Sequence, residues 1–260
     1  MTKRIFQYLI ITFAITYLFW GIDVLLSIFG LYEHPSYNIG LIFYSIAACS
    51  PAISVYSLMQ LDPDKKGIRR FFKMSFTFNK PFSELLLVCV FTGIRFIIPF
   101  LFNEVRSTGH LWQVIVYSPV MILFGGLEEI GWRGFLQTKL EDKFGALTST
   151  LMICAIWILW HIPLCYIKGT YQYSGSFLWF AASLIGTAFS LAAIHRVGKS
   201  ILPCIIFHSV GNSIVSYGIS INDGLGMVVS ICIQVIFAVV ILVFCDNTKR
   251  IDRLNSDLSQ

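Results

Sequence analysis

Charge is what this 260-residue sequence has least of: Asp, Glu, Lys and Arg together make up 13% of it, against about 25% in an ordinary soluble domain. Hydrophobic residues reach 56% and the mean hydropathy is +0.74, so a water-exposed globule is excluded and a polytopic membrane protein is implied. Paired cysteines are also missing. The seven cysteines (Cys49, Cys89, Cys154, Cys165, Cys204, Cys232 and Cys245) stand singly inside apolar runs, with no CxxC and no metal-ligand spacing, and read as inert core residues. There is no G-x-S-x-G, no convincing Ser/His/Asp set and no HExxH, which removes the common soluble hydrolase and zincin readings. No internal repeat, low-complexity tract or soluble domain is visible. The net charge of +5 comes from basic residues lying between apolar runs, not from a basic face with interleaved aromatics. Nucleic acid is therefore not an expected partner, and the lipid bilayer is.

What is present is a series of apolar runs long enough to cross a bilayer, each of about 20 residues. Eight are expected, with seven as the fallback, at residues 5–29, 38–60, 82–102, 112–140, 146–167, 175–195, 200–220 and 224–245; the second half of the fourth, which carries the acidic motif, could be a separate, partly buried helix. The fold class is thus all-α, a bundle of about eight transmembrane helices. The first run follows Lys3 and Arg4 but has no small-residue cleavage site, so it is expected to be a retained anchor. The groups Lys3 and Arg4, Lys65 to Lys80, Lys139 and Lys143, Arg196 and Lys199, and Lys249 to Arg253 fall on one side; only Arg106 and Lys168 fall in loops on the other. By the positive-inside tendency, both termini are expected to be cytosolic, in the cell (plasma) membrane. Residues 61–80 mix Lys and Arg with Phe71, Phe72, Phe76 and Phe78, which suits either a stretch lying on an anionic leaflet or an ordinary positive-inside loop.

One stretch is out of place in such a chain: Glu128, Glu129 and Arg133 lie within six residues, directly after the apolar run Val114 to Leu127. Each charge at bilayer depth costs roughly 2.5–3.5 kcal/mol, so the cluster calls for pairing or for a working site. Glu129 and Arg133, four apart, can pair on one helix face as a brace, while Glu128 points about 100° away and has no local partner. Two more polar interruptions follow, Trp157 with His161 and His208 with Asn212, each an i,i+4 face on an apolar helix. Trp157 and Trp160 read as packing residues. Counted from the nearest basic or acidic turn, Glu128 lies about 20 Å deep, His161 about 27 Å and His208 about 14 Å, compatible with one level nearer the cytosolic side. Pro119, Pro163 and Pro203 near the three sites suggest kinks that open a wet cavity, and Gly125 and Gly126 suggest close helix approach before Glu128. His34, His110 and His195 fall at loops or span ends, where solvated or interfacial roles are expected.

Peptide hydrolysis needs a base to activate water, donors aimed at the developing oxyanion and a proton for the leaving amine. Glu128 can be the base with His161 holding the water, and His208 with Asn212 can supply the donors. Alternatively, Glu128, His161 and His208 could ligate a divalent metal such as zinc with one position open for water. Spacing alone leaves both routes standing.

The motifs EEIGWR at 128–133, WILWH at 157–161 and HSVGN at 208–212, in this order and on apolar helices, resemble the CPBP family of intramembrane proteases. That family includes the type II CAAX prenyl endopeptidases and bacterial bacteriocin-processing and self-immunity proteins. Its pattern is EExxxR, FxxxH and HxxxN; the departure is Trp157 in place of phenylalanine. The likeness covers about residues 115–220 and implies a catalytic core at 111–222, preceded by transmembrane helices and a basic segment at 1–110 and followed by a last helix and tail at 223–260. It further implies that Glu128 and His161 activate water, that His208 and Asn212 steady the oxyanion, that Glu129 and Arg133 organise the site, and that no metal cofactor is favoured. The expected partner is a peptide or protein substrate at the membrane. A non-catalytic bacteriocin immunity or interaction protein is the alternative, and a small proton-coupled transporter ranks last because no inverted repeat appears.

Overall fold

The structure is a computed structural model and describes residues 2–35, 39–61, 66–107 and 109–258. Lys65, and the side chains of Lys66, Lys249, Arg250 and Arg253, lie outside the described residues. The chain runs α1 (Thr2–Ile28), α2 (Ile39–Ala48), α3 (Ser50–Gln60), α4 (Lys66–Ser75), α5 (Pro81–Leu101), β1 (Val105–Ser107), α6 (Leu111–Tyr117), α7 (Glu128–Gly131), α8 (Thr138–Phe144) and α9 (Ala146–Trp160). There follow α10 (Tyr171–Ser174), α11 (Phe177–Gly198), α12 (Leu202–Tyr217), β2 (Ile219–Ile221) and α13 (Leu225–Leu258). The all-α expectation holds apart from one short antiparallel ribbon, in which Val105 pairs with Ile221 and Ser107 with Ile219.

The eight expected spans resolve differently. Five stretches are long and apolar enough to cross a membrane: Lys3–Ile28, Pro81–Leu101, Ala146–Tyr166, Phe177–Gly198 and Leu225–Asn247. A sixth is the pair α2 and α3, bent by 60° at Pro51, which has no N–H to continue the ladder from α2. The run 112–140 is broken into α6, a 3-10 turn at Val120–Ile122, α7, a π-helical turn at Trp132–Gln137, and α8. The run 200–220 yields α12, only 16 residues and about 24 Å long. Its apolar composition serves burial inside the protein, since Cys204, Ile205 and Phe207 are enclosed by neighbouring helices. Hydropathy rewards lipid contact and protein burial alike.

Polar contacts tie the basic segments together at one end of the bundle. Arg4 donates to the carbonyl of Leu58 at 3.1 Å. Asn79 reaches Gly198 and Ser200 at 2.8 and 2.9 Å. Glu141 pairs with Arg196 at 2.9 Å and Lys199 at 2.7 Å, and Arg196 also meets Asp246. Burial works against the Glu141 carboxylate, but the Lys199 ammonium beside it wins and holds its pKa below the ordinary value. The ribbon carrying Arg106, and Lys168, whose backbone bonds Ser27 and His34, mark the other end. Among the described residues, Arg4, Arg196 and Lys199 thus lie at one end of the bundle and Arg106 and Lys168 at the other.

Helix packing is close where small polar residues face each other. Thr12 bonds Ser54 at 2.9 Å and Thr16 meets Ser50 at 2.5 Å between α1 and α3, and the indole of Trp160 donates to Thr16 at 2.6 Å. These bonds satisfy groups that hydrocarbon would leave unpaired. On α4, Phe71 and Phe72 turn inward against Ala52, Ile130, Ile201 and Ile205, leaving Arg69, Arg70, Lys73 and Phe76 exposed. Of the cysteines, only Cys154 and Cys204 are core residues; Cys89 and Cys232 face outward, and all seven are free thiols.

Candidate active site

Three pieces of the chain build the site, two of them with irregular backbone. After α6 the chain passes Pro119 in tight turns, and only at Glu128 does it regain helical form, which continues through the π-helical turn holding Arg133. Such widened turns recur at functional sites because they re-aim side chains relative to an ideal helix. Glu129 and Arg133 are each 0% exposed and 3.1 Å apart. Their contact is one of charge on charge, without an aligned hydrogen bond. The Arg133 guanidinium also lies 5.0 Å from the centre of the Trp157 ring, a cation–π contact.

The second piece is the end of α9. Pro163 cannot donate to the carbonyl of Leu159, and Tyr17 supplies the missing donor from α1 at 2.7 Å. The helix stops at His161, whose Nδ1 donates to the carbonyl of Trp157 at 2.7 Å. A carbonyl only accepts, so the other ring nitrogen, Nε2, carries the free lone pair in the neutral ring. One turn back, Trp157 Nε1 donates to Glu128 Oε2 at 3.0 Å. The carboxylate without a local partner thus acquires one from a distant helix.

The third piece is α12. Pro203 sits in its first turn, where the missing N–H is harmless, so it starts the helix and does not kink it as the sequence suggests. His208 Nδ1 bonds Glu129 Oε1 at 2.7 Å, so Glu129 joins Arg133 to His208. The Trp157 ring stands edge-on to both imidazoles, 5.4 Å from His161 and 5.5 Å from His208 between centres. Gly125 is tight for a reason: a Cβ there would collide with Asn212 Nδ2 and sit 3.1 Å from His208 Nε2.

Glu128, His161, His208 and Asn212 all line one cavity of about 470 Å³. Glu128 is 4% exposed, His161 7% and His208 6%, while Asn212 is half-buried. The cavity is further lined by His34, Gly169, Tyr171, Tyr217 and Ile221, so it extends toward the end opposite the basic cluster.

Other side chains depart from their expected roles. His34 stacks on Tyr44 at 4.2 Å and borders the cavity, and burial pushes its imidazole down to about 4. His195 is buried at 2% exposure, not solvated; His110 is exposed as expected. Arg95, on α5, went unnoticed in the sequence although an arginine inside an apolar run is itself a signal; it too lines the cavity.

Among the described residues no group of three or more His, Cys, Asp and Glu side chains comes together so as to hold a metal ion.

Residues 85–214, half of the chain, match the Rce1-like family, described as type II CAAX prenyl endopeptidase. The chain belongs to the Rce1-like family. Every residue of the three motifs lies inside that match, and the CPBP resemblance is borne out. The chain is also similar to the CAAX prenyl protease 2 of Methanococcus maripaludis, 24% identical over 220 residues that cover 79% of this chain and 81% of the relative. At family level, then, this Rce1-like chain is a CAAX-protease-like intramembrane endopeptidase, an integral membrane protein acting on a peptide or protein at the membrane.

Proposed function

We propose that the chain hydrolyses a peptide bond in this cavity by a metal-free route with Glu128 as the base. The observation that carries the reading is the Trp157 bridge: one residue fixes the Glu128 carboxylate through its indole and the His161 ring through its carbonyl. A water between Glu128 and His161 Nε2 would lose a proton to the carboxylate as it attacks the scissile carbonyl carbon. The same proton then passes to the leaving amine, so no group is consumed. The oxyanion is met by Asn212 and by His208 Nε2. For Nε2 to donate, the His208 ring must carry both protons, and Glu129 on Nδ1 supplies the counter-charge. Arg133 balances Glu129 in turn and acts as an organising residue, not a catalytic one.

The likeness to a CAAX prenyl protease makes a farnesylated peptide ending in a CAAX sequence the first substrate to try. Glu128→Ala, His161→Ala and His208→Ala should each abolish its cleavage while leaving expression intact; full cleavage by Glu128→Ala would sink the reading. Function that persists in that variant, as protection or partner binding, would point to the non-catalytic immunity role. Chelation should leave the rate unchanged; stoichiometric zinc in active protein, with chelation reversibly stopping cleavage, would overturn the metal-free route. The excess of Lys and Arg at one end puts that end, with both termini, on the cytosolic face of the cell membrane. The cavity then opens toward the other face. A membrane-impermeant thiol reagent on intact cells should label Lys168→Cys and not Lys199→Cys.

A further inference from the structure

Arg95 is a charge that the fold leaves without a counter-charge. It lies well inside α5, a 21-residue apolar span, where a cation costs roughly 2.5–3.5 kcal/mol and is ordinarily paired. Among the described residues no carboxylate forms an ion pair with it. Three acids of the site and of the adjoining ribbon are engaged elsewhere, and Asp223 acts on Tyr171, which Arg95 also faces, without forming an ion pair with Arg95. Glu104 accepts from the backbone of Gly226 and Met227 at 2.7 and 2.9 Å, Glu128 accepts from Trp157, and Glu129 is shared by Arg133 and His208. Its aromatic contact is with its own neighbour, Phe96, at 5.4 Å.

The position of Arg95 is built. A Cβ on Gly211 would lie 3.0 Å from Arg95 Nη1, so the glycine lets the guanidinium lie against α12 on the turn beside Asn212. Arg95, Tyr171, Gln172 and Ser216 line the same cavity as Glu128 and His161. A planar guanidinium fork fits a carboxylate with two parallel hydrogen bonds, and in a site of low polarity such a pair is both strong and directional.

We propose that Arg95 is a specificity-determining residue that takes a carboxylate of the bound peptide and so sets which bond reaches Glu128. The proposal rests on the reading of the cavity as a peptide site. The shared chemistry is the carboxylate, whether a free C-terminus or an Asp or Glu side chain. Arg95 is half-buried and supplies an anchor at a distance from the reacting atoms; an apolar peptide that lacks a carboxylate would cover this cation without pairing it.

The test is retention of a defined probe by the full-length protein in detergent. An equimolar pool of apolar hexapeptides with free C-terminal carboxylates is mixed with the isotope-labelled C-terminal amides of the same sequences, and retained peptides are counted by mass spectrometry. Wild type should retain the acids at least tenfold over the amides, Arg95→Gln should bring the ratio to within twofold of one, and Arg95→Lys should fall between. Arg95→Met, an apolar change suited to a membrane helix, serves if Arg95→Gln does not fold. A third set, amides carrying one internal Glu, separates the sources: retention of these in an Arg95-dependent way supports carboxylate recognition and assigns it to side chains. An unchanged ratio in Arg95→Gln or Arg95→Met, or no preference for a carboxylate in wild type including no retention at all, overturns the proposal. Peptides retained with acid preference but never cleaved would instead remove the hydrolytic reading and leave this one standing.

Discussion

The most exposing test of the proposed chemistry is Trp157→Phe, because it returns the chain to the family pattern at the one motif position where it departs. Phenylalanine keeps an aromatic ring against Arg133 and both imidazoles but has no N–H. The bond lost is the one from Trp157 Nε1 to Glu128 Oε2, 3.0 Å long and fully enclosed. A hydrogen bond to a charged group contributes about 1.5–3 kcal/mol, and each 1.4 kcal/mol of lost transition-state positioning is about tenfold in rate. The expected fall in kcat is therefore roughly 10- to 100-fold. The lost volume should cost roughly 1–2 kcal/mol of stability in addition. The assay is a steady-state measurement of peptide cleavage well below the unfolding midpoint, with thermal unfolding in the same detergent as the control. A kcat within twofold of wild type, with unfolding shifted as expected, would show that Glu128 does not depend on this donor and would remove the bridge from the mechanism.

Arg133→Ala should lower stability by about 3–5 kcal/mol by stranding the buried Glu129, read as a large fall in unfolding temperature. Glu129→Gln should also destabilise strongly, because it leaves the buried Arg133 guanidinium without its counter-charge, and it should abolish cleavage through His208; a Glu129→Gln variant that cleaves like wild type would contradict the linked arrangement. Gly125→Ala should reduce cleavage at least tenfold with little change in expression, because the added methyl meets Asn212 and His208; activity near wild type would show that the site relaxes freely. Glu141, whose pKa is lowered from its ordinary value because Lys199 beside it outweighs the opposing effect of burial, contributes stability that is present above about pH 4.3 and is lost as the pH falls through its lowered folded value. Unfolding temperature against pH should therefore be flatter on the acid side for Glu141→Gln than for wild type, and identical slopes would remove Glu141 from the account.

Much of the site was legible before any coordinates. The Glu129–Arg133 brace follows from i,i+4 spacing and appears as a buried 3.1 Å pair. The pairing of His208 with Glu129 was not legible, nor was the donor to Glu128, because both contacts cross between helices far apart in the chain, and periodicity reports only which residues share a face. Trp157 was read as packing; it packs, but its indole N–H also has a partner to satisfy once buried. His195 was placed at a span end and expected to be wet, yet neighbouring helices cover it. Arg95 was legible as a charge within an apolar run and was passed over because no motif surrounds it.

The amino-acid order by itself determined that this is a helical membrane protein, which segments are apolar, that the basic turns share one side, and that three polar faces interrupt the helices in the sequence of the Rce1-like family. It did so because composition and helical repeat are local properties that survive whatever the tertiary arrangement is. The tertiary structure decided that α12 is a 16-residue helix enclosed by its neighbours, how the 112–140 run is broken around the acidic motif, that the cavity extends toward the end opposite the basic cluster, and that Glu128, His161, His208 and Arg95 border one space. Those outcomes depend on which apolar surfaces meet each other instead of lipid, and on which buried polar groups find partners, and neither is written in any single stretch of the chain.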